Sequence, residues 1–148
     1  MFFIPSAPLA LTLGGLIPFV GLAAISILAP GLAGLDARFA LAIYGATIVS
    51  FLGGARWGLA LSTARFEIKA GVFAGATVPP LVAWVAAFTP GLARGPGLWL
   101  LVLALIGMWV WDVRPKWGAE APDWYPALRS IATAGATASL AAAALWGG

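Results

Sequence analysis

The chain has 148 residues, of which 62% are hydrophobic and only 9% are charged. A soluble globular domain is about 45–50% apolar and about 25% charged, so this composition excludes a water-soluble fold and predicts an integral membrane protein. The net charge of +3 includes no basic run of the kind that binds nucleic acid, so we expect no nucleic-acid partner.

Several residue types that carry chemistry are missing from the chain, which has no Cys, His, Asn or Gln. Without Cys or His it lacks the usual ligands of zinc, haem and iron–sulfur clusters, so we predict no cofactor and no metal site. The imidazole and thiolate of most acid–base and nucleophilic sites are missing as well. Because Glu67, Glu120 and Asp123 all fall in predicted loops, the sequence favours a protein that is not an enzyme.

Five apolar stretches are each long enough to cross the roughly 30 Å hydrocarbon core of a bilayer. They predict an all-α, polytopic membrane protein, a five-transmembrane-helix bundle that forms one domain over residues 1–148. The predicted helices cover residues 8–29, 38–62, 69–89, 97–113 and 127–146. We interpret the first as an uncleaved helix rather than a secretory signal, because no Lys or Arg precedes it. Asp36 is expected to cap the second helix, and the short connections predict antiparallel neighbours.

Orientation follows from the positions of Lys and Arg, which are more frequent in cytoplasmic loops. One side of the predicted bundle carries five of them, namely Arg65, Lys69, Arg114, Lys116 and Arg129. The opposite side carries Arg38 and Arg94. We therefore expect a multi-pass protein with its N-terminus in the cytoplasm and its C-terminus in the periplasm.

Tryptophan side chains are expected at both membrane surfaces, where the indole ring is half buried and its N–H stays hydrated. The predicted interface anchors are Trp57, Trp111, Trp117 and Trp124 on the cytoplasmic side, with Trp99 and Trp146 on the other.

Arg56 is a basic residue well inside an apolar span, about two turns from the cytoplasmic end of the second helix. A charge there is costly unless it extends to the interface or finds a partner. Asp112 ends the fourth helix at about the same depth, and Arg129 opens the fifth on the same side. One interpretation is a polar site for a proton or a ligand. The interpretation that we favour is a structural ion cluster of Arg56, Asp112 and Arg129 that joins three helices.

Glycines and prolines define two further features of the predicted helices. Gly54 and Gly58 form one GxxxG spacing and Gly71 and Gly75 form another, which predicts close helix packing within the chain or against a neighbour. Pro18, Pro79 and Pro80 are predicted helix kinks, because each proline removes one helix hydrogen bond. The carbonyls they release could bind a substrate or an ion in a transporter, but we favour structural kinks whose carbonyls are satisfied by a threonine, by water or by a neighbouring helix, with Thr77 close enough to Pro79 and Pro80 to serve.

Three stretches of the sequence are similar to a known family. They are LGGLIPFVGLA in the first helix, YGATIVSFLGGARWGLAL in the second, and WDVRPKW followed by PDWYPALRSIAT around the fourth connection. Together they resemble a family of small multi-pass inner-membrane proteins of unknown function, common in proteobacteria and with a mitochondrial-type relative in animals. The resemblance implies a five-helix protein of the bacterial inner membrane, and it implies no particular activity.

We predict from the composition and the small-residue faces a non-catalytic accessory, assembly or scaffold subunit of a larger inner-membrane complex, respiratory or photosynthetic. Its partners would be membrane lipids and other integral membrane protein subunits. The alternative is a small oligomeric channel or transporter in which the prolines and Arg56 are the functional residues.

The orientation can be tested with reporter fusions. Because the charge count places the even-numbered connections in the cytoplasm, fusions after Phe66 and Trp117 are expected to report cytoplasm, and a fusion at Gly148 the opposite side. A periplasmic signal from the Trp117 fusion would overturn the charge count.

Overall fold

The computed structural model describes residues 4–32, 36–62, 70–89, 91, 95–114 and 122–147 of the chain. These residues form five long α-helices and no strand. The helices are α1 (Ser6–Leu28), α2 (Ala37–Ser62), α3 (Ala70–Phe88), α4 (Pro96–Val113) and α5 (Tyr125–Trp146). All five are long and apolar enough to cross a membrane, which confirms the all-α, five-helix prediction.

The bounds of the helices lie within two residues of those predicted wherever the structure describes them. The predicted start of the third helix, residue 69, lies outside the described residues, and α3 begins at Ala70. The Asp36 carboxylate accepts a hydrogen bond of 3.0 Å from the backbone N–H of Phe39. Asp36 therefore caps the first turn of α2, as its position ahead of the apolar run predicts.

The five helices pack as a closed ring in the order α1, α2, α3, α4, α5, with α5 returning to α1. Within this ring α2 also reaches α4 and α5, so that it contacts all four other helices. The largest fully buried side chains include Phe19, Leu41, Leu101, Leu105 and Leu140, which come from α1, α2, α4 and α5. The core therefore lies between α2 and the α4–α5 pair.

Glycine allows α2 and α3 to approach closely where α3 contains its two adjacent prolines. A Cβ added to Gly53 would lie 2.6 Å from the carbonyl oxygen of Ala76 and 2.6 Å from Cγ of Pro80. Proline at position 80 cannot donate to the Ala76 carbonyl, because it has no backbone N–H. The backbone of Gly53 covers this carbonyl, and no larger residue fits there without displacing α3.

The predicted prolines lie inside continuous helices rather than at breaks. Pro18 is within α1, and Pro79 and Pro80 are within α3. The Thr77 hydroxyl donates to the Phe73 carbonyl at 2.9 Å, not to the carbonyls that the two α3 prolines release. Of the alternatives expected for these carbonyls, the structure does not use Thr77, because a threonine hydroxyl in a helix reaches the carbonyl four residues before it.

The last helix is held by an arginine at its C-terminal end. Arg38, at the start of α2, donates from Nη1 to the carbonyl oxygen of Gly147 at 3.2 Å. The last carbonyls of a helix have no partner within the helix and carry partial negative charge, so a guanidinium there is favourable. Arg38 therefore joins the two helix ends at the side of the bundle opposite Arg56.

The close approach of α2 and α3 predicts different effects for two adjacent glycines. We expect Gly53→Ala to lower the free energy of unfolding by about 1–3 kcal/mol, because the new methyl group overlaps the backbone of α3. Gly54→Ala is the matched control, since a Cβ at Gly54 meets no described atom within 4 Å. Alanine is also favoured over glycine in a helix by about 1 kcal/mol.

Equilibrium unfolding in mixed micelles measures both variants. Equal stabilities for Gly53→Ala and Gly54→Ala would contradict the crossing geometry.

Candidate functional site

Three charged residues lie on the buried faces of three helices. On α4, buried side chains recur every three or four residues at Leu98, Leu101, Leu105, Met108 and Asp112. The buried residues of α2 and α5 recur at the same helical spacing, and they include Arg56 on α2 and Arg129 on α5. Exposed surface is 6% for Arg56, 4% for Asp112 and 6% for Arg129.

The three side chains form one ion cluster, which we call the triad: Arg56, Asp112 and Arg129. Arg56 donates from Nε to Oδ1 of Asp112 at 2.5 Å, and its Nη2 lies 2.5 Å from the same oxygen. Arg129 donates from Nε to Oδ2 of Asp112 at 2.6 Å. A single carboxylate thus connects α2, α4 and α5. The structure brings together the three residues predicted for the cluster.

Trp111 covers one side of the triad. The guanidinium carbon of Arg56 lies 4.9 Å from the centroid of the Trp111 ring, a cation–π contact. The far edge of the same indole packs on Gly75 of α3, where an added Cβ would lie 2.8 Å from the ring. Gly75 therefore makes room for Trp111, and through Trp111 the triad also contacts α3.

The buried face of α5 adds two hydroxyl groups near the triad. Tyr125, one turn before Arg129, interacts electrostatically with all three charged residues. Thr133, one turn after Arg129, is buried. Neither residue was singled out from the sequence, although their spacing of four from Arg129 puts them on the same helix face.

The charged groups of the triad are bonded to one another, so the triad offers no free carboxylate oxygen for acid–base chemistry. Both oxygens of the Asp112 carboxylate accept from arginines, so neither is free to act as a general base. Among the described residues there is no group of three or more His, Cys, Asp or Glu that could hold a metal ion. Within the described residues, this arrangement pairs the guanidiniums of Arg56 and Arg129 with the carboxylate of Asp112 between three helices.

The predicted glycine contacts divide into two groups. Gly75 packs closely against Trp111, whereas a Cβ added to Gly54, Gly58 or Gly71 meets no described atom within 4 Å. The close approach expected at Gly54 is made within the chain by its neighbour Gly53. Adjacent residues of a helix point about 100° apart, so only one of two consecutive glycines can face α3.

The predicted tryptophan anchors lie in different surroundings. Trp99 and Trp146 are exposed, and Trp124 is half-buried with its ring 6.5 Å from that of Tyr125. Trp57 packs on α3 and donates from its indole N–H to the Thr77 hydroxyl at 3.2 Å, so this N–H is not left for interfacial water. Trp111 contacts Arg56 as described above, and Trp117 lies outside the described residues.

Removing the carboxylate of the triad is expected to be strongly destabilising. Asp112→Ala would leave two buried guanidiniums facing each other, at a cost of about 3–5 kcal/mol, as when one partner of a buried ion pair is deleted. Asp123→Ala is the matched control, because Asp123 is exposed in the turn before α5 and such changes stay within about 0.5 kcal/mol.

A double-mutant cycle separates mutual compensation from independent effects. Arg56→Leu with Asp112→Leu restores the net charge of the cluster, so the pair is expected to cost much less than the sum of the single changes. Strict additivity in unfolding experiments would mean that Arg56 and Asp112 do not depend on each other.

Comparisons with known proteins identify the family of the chain. The family described as "Protein of unknown function (DUF3429)" matches residues 4–145. "Transmembrane protein 69" from Xenopus tropicalis is 36% identical over 140 residues, which cover 92% of this chain and 53% of that protein. The chain thus spans about half the length of this relative, and no solved structure matches it. The chain belongs to the DUF3429 family of membrane proteins.

Proposed function

We propose that the chain is a non-catalytic accessory, assembly or scaffold subunit of a larger complex in the bacterial inner membrane, with its N-terminus in the cytoplasm. The observation that carries this proposal is an open face on α2, the helix that contacts all others in the bundle. A surface left open on the most connected helix is suited to a further helix from another subunit.

A row of small residues runs along the open face of α2, which also exposes Ile43 and Phe51. Thr47, Ser50, Gly54 and Gly58 follow one another at helical spacing and are all exposed. The two hydroxyls donate to carbonyls of their own helix at 2.9 and 2.8 Å, so they need no hydrogen-bond partner from lipid. Small faces of this kind allow helix backbones to approach closely in a membrane, where packing rather than the hydrophobic effect holds helices together.

The triad supports a structural role over a catalytic one. Its carboxylate is fully engaged by Arg56 and Arg129, and its place near the ends of α4 and α5 is far from the bilayer midplane. Intramembrane charges that move protons or solutes usually face a water-filled cavity. A cluster whose charged groups are paired with one another between three helices instead provides a rigid frame on which a partner helix can pack.

Substitutions on the open face test this proposal. Gly54→Leu and Gly58→Leu are expected to release partner subunits during purification in mild detergent, because the larger side chains keep the two backbones apart. Gly107→Leu is the matched control: Gly107 also meets no described atom within 4 Å of an added Cβ, but it lies on α4. Unfolding of the isolated chain should be unchanged in all three variants.

Mass spectrometry of the purified wild-type protein gives the second readout. Stoichiometric membrane subunits that are lost from Gly54→Leu and Gly58→Leu but kept by Gly107→Leu would support the accessory role. A pure homo-oligomer would favour the alternative, a small channel or transporter. Retention of every partner by the two α2 variants would mean that this face contacts lipid.

A further inference from the structure

We draw no further inference here: the strongest candidate, the exposed apolar patch near the C-terminal end of α3 where the rings of Trp84 and Phe88 stack with their centroids 5.0 Å apart, carries none, because nothing in the described part of the structure shows what covers it.

Discussion

A single buried carboxylate between two guanidiniums determines how this bundle is arranged. An arginine at the centre of a membrane span costs about 2.5–3.5 kcal/mol on insertion scales, and the buried Arg56 and Arg129, although nearer the helix ends, also need a compensating charge. Asp112 supplies it by accepting from one arginine on each oxygen. Because the three residues come from α2, α4 and α5, satisfying the charges also fixes these helices relative to one another, and Trp111 extends the cluster to α3.

Small residues allow the helices to pack closely against one another. This packing is needed because the hydrophobic effect does not drive helices together inside a lipid bilayer. Gly53 lets α2 lie on the proline-containing part of α3, and Gly75 makes room for the indole that covers Arg56. The next glycine of α2, Gly54, points away from both contacts and together with Gly58 leaves one face open. The same helix thus packs inward through Gly53 and presents a face on which another subunit could pack.

The sequence predicts the fold and the triad because both follow from strong physical constraints. Apolar spans of about 20 residues have few alternatives to membrane helices, and short connections bring the ends of α2, α4 and α5 to one side, where buried charges must pair. Weaker constraints explain what the sequence does not predict. Two consecutive glycines do not indicate which one faces a neighbour, so Gly53 was not identified. A tryptophan near a helix end suits both an interface and a cation–π contact, and for Trp111 only the packed structure distinguishes them.

The distances within the triad in a lipid bilayer test this account most directly. Solid-state NMR can measure the separation between Cγ of Asp112 and the labelled Nε atoms of the arginines, with variants at position 56 or 129 used to assign each signal. The account predicts two separations below about 4 Å, one to Arg56 and one to Arg129, as expected for charge-assisted hydrogen bonds to both carboxylate oxygens. A short separation to only one arginine, or to neither, would contradict it, because α2, α4 and α5 would then not be joined through Asp112.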